Sequence, residues 1–161
     1  MPHDSVATFP TTALPNAAAN DRGAGFPLAK EFAGKIAPTK TRFASRIEAQ
    51  LACESYATAH GGSVEITSGT RSMEPFIHGQ TYFVVQKRPY ESITHRDLLV
   101  YMGRPDASKP DRIKILHRAV DHDRYGWIMS GDNNRWSETW DRVAAKTYVG
   151  TAVAFFEFPQ S

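Results

Sequence analysis

The sequence predicts a mainly β domain, antiparallel and barrel-like or sandwich-like, preceded by one α-helix and a flexible N-terminal arm. Three observations carry that reading. Short β-rich runs recur from Ser63 onward with turn-formers between them. Only residues 41–59 carry a helical period. The first 40 residues show no sustained period, and they hold five of the ten prolines and nine alanines. Such a stretch buries too little surface to offset its chain entropy.

Taken in order, the arm covers 1–40, with any order in it between Phe26 and Ile36. Residues 41–59 read as an amphipathic helix. Phe43, Ile47 and Leu51 fall at i, i+4 and i+8, with Ala44, Ala52 and Tyr56 beside them. Thr41 is the candidate cap, and His60-Gly61-Gly62 the stop. One helix alone does not make a helix-turn-helix. The β-rich domain, 62–158, has runs at 63–67, 81–86, 97–102, 112–122, 125–130 and 148–158. Pro75, Gly79, Pro89, the Gly103–Pro110 loop and the Gly131–Asn134 turn separate them.

The bulk properties narrow the function. A chain of 161 residues is a prior for one domain. With 19 basic and 17 acidic residues the net charge is +2, which argues against a nucleic-acid coat. A single cysteine, Cys53, excludes an internal disulfide and any metal site built on two thiolates. His95, His117, His122 and Cys53 follow no recognised ligand spacing, so no metal or cofactor is expected. No apolar run of about 18 residues is present to span a bilayer. The N-terminus lacks a basic and apolar leader, so the expected location is cytoplasmic.

Three segments carry chemistry. Ser68-Gly69-Thr70-Arg71-Ser72-Met73-Glu74-Pro75 follows a predicted strand and sets Ser72 on a bent, reachable backbone. A serine hydroxyl becomes a nucleophile only with a base in hydrogen-bond reach. On the strand around Ile115-Leu116-His117-Arg118, alternation puts Ile113, Ile115, His117 and Ala119 on one face and Arg118 on the other. An imidazole so placed is either a core residue or a general base. Ser130-Gly131-Asp132-Asn133-Asn134 is first of all a turn. Glu138 and Asp141 follow it, and a carboxylate at this turn could also orient the imidazole.

Ser72-Met73-x-Pro75, Gly79, Asp97-Leu98-Leu99-Val100-Tyr101, His117-Arg118 and Gly131-Asp132-Asn133-Asn134, in this order, resemble the signal-peptidase superfamily, which also holds the self-cleaving SOS-response repressors. Most bacterial members place a lysine base where this chain has His117. The His-Arg pair and the Gly-Asp-Asn-Asn turn are more similar to the archaeal and endoplasmic-reticulum signal peptidases, which use a serine–histidine pair. The chain departs from the family at Gly79-Gln80 and Arg96-Asp97, where Gly-Asp is usual, and in carrying a Pro/Ala arm where signal peptidases have a membrane anchor.

The resemblance implies an antiparallel β-barrel-like catalytic fold and a soluble serine endopeptidase acting on peptides or proteins. It implies cleavage after small residues such as alanine. Ser72 would be the nucleophile and His117 the base. The Ser72 N–H, with Thr70, would hold the oxyanion. Of the acids, Asp141 is favoured for orienting His117 and Asp132 for holding the turn. Met73, Phe76 and Ile77 would wall the substrate cleft or belong to the core. Trp127, Trp136 and Trp140 would line a groove or pack, packing being favoured for Trp127. A histidine in the base role predicts activity rising through about pH 6 to 7. Two alternatives stay open: a catalytically silent β-domain that binds a peptide or partner, and a self-processing regulator cut at Ala24-Gly25.

Overall fold

The structure, a computed structural model, describes residues 5–6, 28–29, 38–104 and 113–161. Ala24-Gly25 lies outside the described residues, as do Phe26–Ile36 apart from 28–29. The described chain is mainly β, a curled half-barrel sheet with one α-helix. Its strands are β1 (Ser5–Val6), β2 (Thr39–Arg42), β3 (Ser63–Thr67), β4 (Thr81–Gln86), β5 (Leu98–Gly103), β6 (Ile113–Asp123), β7 (Gly126–Ser130), β8 (Glu138–Val143) and β9 (Tyr148–Glu157). Helix α1 spans Arg46–His60. The sheet order is β1-β3-β4-β9-β5-β6-β7-β8, with β2 also on β9. β1 on β3 and β2 on β9 are parallel; the other pairings are antiparallel.

The six expected β runs are present within one residue at their ends. The structure adds β1, β2 and β8. Thr39–Arg42, placed by the sequence at the end of the arm and the start of the helix, is instead a strand whose Thr41 pairs with Phe156. The helix therefore begins later. Ser45 caps it, its Oγ accepting from the Glu48 N–H at 3.3 Å. Gly61 ends it with φ 83° and donates to the Ala57 carbonyl at 2.8 Å.

The expected apolar face of α1 is a correction. Ile47 and Leu51 are 60% and 56% exposed. The row that meets the sheet is Ala49, Cys53 and Tyr56, packed with Ile66, Tyr82, Val84 and Phe156. Phe43 set the wrong phase, because it precedes the helix. Its N–H continues the strand ladder to the Glu157 carbonyl at 2.9 Å, and its ring stacks on Phe156. At 100° per residue, about two positions of offset carry a row to the opposite side of the helix. Burial, with Glu54 adding to it, pushes the Cys53 thiol up to about 12.

Two apolar clusters pack on opposite faces of β5 and β6. One joins Met73, Phe76 and Ile77 to Phe83, Leu98, Leu116 and Phe155. The other joins Leu99, Tyr101, Ile115, Ala119, Trp127 and Met129. They lie on alternate residues of β5 and β6, as a period of two requires. Between them, β6 carries His117 and Arg118 into the protein in opposite directions.

Candidate active site

The Ser72 loop is pinned at its base. Thr67 Oγ1 donates to the Gly79 carbonyl at 3.0 Å and accepts from the Thr81 N–H at 2.9 Å. Just past Ser72 the chain makes a helical turn, Ile77 N–H to Met73 carbonyl at 3.0 Å. That turn sinks Met73 and Ile77 completely into the core and sets Phe76 edge-on against Phe155. Of the two places the sequence left open for these three side chains, they take the core one, and they anchor the loop that carries Ser72.

The Gly131–Asn134 turn supports Ser72 from behind. The Asn133 N–H donates to the Ser72 carbonyl at 2.8 Å, and Asn133 Nδ2 to the Arg71 carbonyl at 3.1 Å. A Cβ on Gly131 would stand 2.8 Å from the Ser72 carbonyl oxygen, too close for any side chain. Thr70 lies half-buried on the same loop, two residues ahead of Ser72.

Ser72 Oγ lies 3.2 Å from His117 Nε2. His117 Nδ1 lies 2.5 Å from Glu138 Oε2. Ser72, His117 and Glu138 are all buried. An ionised carboxylate can only accept, so Nδ1 carries the proton and Nε2 is left as an acceptor for the Ser72 hydroxyl. Tyr101, from β5, donates to Glu138 Oε1 at 2.8 Å and lies 3.3 Å from Nδ1. Burial first, and then the Glu138 charge, hold the Tyr101 hydroxyl well above the usual phenol range, so it stays a donor.

The carboxylate on His117 is therefore that of Glu138, and both ring nitrogens are engaged without Asp132 or Asp141. Asp132 makes a bidentate pair with Arg118, Nε to Oδ1 and Nη2 to Oδ2 both at 2.8 Å, with neither side chain exposed. The pair ties the Gly131–Asn134 turn to β6. Asp141 stands half-buried further along β8, three residues past Glu138. The missed signal was the strand itself. β8 opens with Glu138 opposite Met129, but its pairing with β7 is irregular and its sequence does not alternate cleanly. Without β8 the expectation favoured Asp141 over the acid that the structure sets against His117. Trp127 and Trp136 are buried, and Trp140 is half-buried.

Among the described residues no three His, Cys, Asp or Glu side chains gather to hold a metal ion. A cavity of about 460 Å3 lies away from Ser72, lined by Arg88, His95, Arg96 and Val153 among others. Among the described residues no helix is long and apolar enough to cross a membrane. No family model, curated protein or solved structure matches the chain.

Proposed function

We propose that this chain is a serine endopeptidase with Ser72 as nucleophile, His117 as general base and acid, and Glu138 as the group that orients the imidazole. The observation that carries the proposal is the buried relay from Ser72 Oγ to His117 Nε2 and from His117 Nδ1 to Glu138. Ser72 Oγ attacks the scissile carbonyl carbon while its proton passes to Nε2. The C–N bond of the adduct then breaks, and Nε2 returns that proton to the leaving amine. Water attacks the resulting ester and gives a proton to Nε2, and Ser72 leaves with it. Glu138 stabilises the imidazolium in both half-reactions. The Ser72 N–H and Thr70 are the donors proposed for the oxyanion. The preference for small residues before the cut rests on the signal-peptidase resemblance.

A second reading, a binding domain without catalysis, draws on the burial of Ser72, which is 1% exposed. One experiment separates the two. Wild type and Ser72→Ala are incubated with a mixed peptide library at about pH 8, where a histidine base is free, and the products are read by mass spectrometry. Cuts made only by wild type, gathered after alanine and other small residues, are expected. Identical spectra would leave the binding domain. The same spectra report any loss of residues 1–24, the product of a cut at Ala24-Gly25.

A further inference from the structure

The sheet leaves a slot between two strand edges that points at the Ser72–His117 pair. β3 uses one edge to pair with β4 over Ser63–Ile66. β6 uses one edge for β5 over Ile113–Arg118, while β7 joins its second edge only from Arg118 onward. Among the described residues, Ile113–His117 therefore has a second edge with no antiparallel partner. β3 and β6 approach each other across this gap, where Lys114 Nζ meets Glu65 Oε1 at 3.1 Å. β3 runs on into the Ser72 loop, and β6 carries His117 at the end of its open stretch.

That slot is occupied. β1 lies parallel to β3, Ser5 opposite Ile66 and Val6 opposite Thr67, and it also lies against β6. A strand edge with open N–H and C=O groups is a template for an added strand, and an extended peptide is what fits it. The occupant here is this chain's own N-terminal segment, more than 60 residues away in sequence. Ser72, on the loop that follows β3, is itself buried.

We infer that the slot between β3 and β6 is a site for an extended peptide, and that the segment carrying Ser5–Val6 occupies it in cis and competes with peptides supplied from outside. The inference rests on the peptidase reading only for what the slot serves; the occupancy stands on strand pairing alone. A segment resident nine-tenths of the time lowers the apparent affinity for an outside peptide about tenfold.

The test uses the full chain with both residues replaced, Ser5→Pro/Val6→Pro. Alternate N–H groups of a strand point to opposite sides, so replacing both removes whichever one faces β3. Three readouts follow. Hydrogen exchange over residues 63–72 should quicken. A labelled copy of residues 1–10 should bind the variant about tenfold more tightly than the parent chain, both carrying Ser72→Ala to prevent turnover. With Ser72 present, cleavage of the library peptides should rise by about the same factor. Faster exchange and tighter binding with no cleavage in either protein would end the peptidase reading and keep the occupancy. Unchanged exchange and binding would overturn the occupancy, whatever the cleavage result. If the prolines unfold the chain, wild type alone decides: slow exchange in the Ser5–Val6 amides is expected, and random-coil exchange there overturns the inference.

Discussion

His117 and Arg118 are neighbours on β6, point to opposite faces, and each ends on a buried carboxylate. The two pairs look alike in burial and differ in what the basic side chain can do. Arg118 cannot give up its proton in a protein. Its guanidinium is spent on Asp132 through two parallel bonds and on the Arg96 carbonyl at 3.0 Å, and it lies over the Phe76 ring. Every contact ties one loop to another: the Asp132 turn, the Arg96 turn and the Ser72 loop. His117 holds one nitrogen toward Glu138 and the other toward a serine hydroxyl, an arrangement that permits proton movement. Of these two adjacent strand residues, Arg118 thus holds loops together, and His117 makes the contacts that the proposed chemistry needs.

Substitutions that exchange these roles test the comparison. The largest effect is expected on the histidine side, in rate. His117→Ala should lower kcat on any peptide that wild type cleaves by about 10^4-fold or more. Glu138→Gln should come close to that, because an amide can donate to Nδ1 and force the tautomer in which Nε2 no longer accepts. Both should fold, as judged by circular dichroism. Retention of most of the activity in Glu138→Gln would remove Glu138 from the relay and reopen Asp141.

On the arginine side the effect should appear in stability. Arg118→Met leaves Asp132 buried without a partner and should cost about 3–5 kcal/mol. Asp132→Asn should destabilise for the mirrored reason. The double variant Arg118→Met/Asp132→Leu should recover part of the loss, since a buried ion pair is often replaceable by apolar groups of similar volume. Urea unfolding of the four proteins measures this. A loss in the double variant equal to the sum of the two single losses would mean that Asp132 acts on something other than Arg118.

Much of this comparison was legible in the sequence, and what was not has a physical cause. The opposite orientations of His117 and Arg118 follow from a period of two, which a long β-rich run makes plain. Ser72, His117 and the Gly131 turn are each weak as local patterns, and only their order along the chain, through the signal-peptidase resemblance, joined them into one candidate site. Glu138 was not preferred, because its approach depends on β8, an irregular edge strand with little apolar alternation. Tyr101 was visible only as a strand residue. Its role depends on a cross-strand diagonal from β5, where its register partner is Ile115. The faces of α1 were misassigned because Phe43 belongs to the strand ladder, and no helical period reveals where the ladder ends.

Tyr101 sharpens the histidine side. Tyr101→Phe keeps the ring and removes the hydroxyl that Glu138 accepts from. A hydrogen bond to a charged group is worth about 1.5–3 kcal/mol, and a loss within or below that range is expected on unfolding. The rate should fall far less than in Glu138→Gln, on the order of tenfold, and in kcat rather than KM. Since the phenol is held well above its usual range, its ionisation should not shape the wild-type profile between about pH 8 and 10. A rise in KM with kcat unchanged would instead place Tyr101 in substrate binding.

The smallest effect belongs to a third carboxylate–cation pair, which calibrates the other two. Asp123, at the end of β6, accepts from Arg142 Nε at 3.0 Å and Nη2 at 2.9 Å, but both side chains remain partly in solvent. Those bonds are the main reason its carboxyl lies below the ordinary 3.8. A carboxyl with a lowered folded value stabilises the protein above the unfolded value and loses that contribution as pH falls through the folded one. Asp123→Asn should therefore cost less than about 1 kcal/mol at neutral pH. The difference from wild type should shrink once the pH drops below 3.8 toward the folded value. It should also fade in high salt, because exposed pairs are screened. The Arg118–Asp132 difference should persist in the same salt. If both respond alike, burial is not what separates the architectural pair from an ordinary surface one.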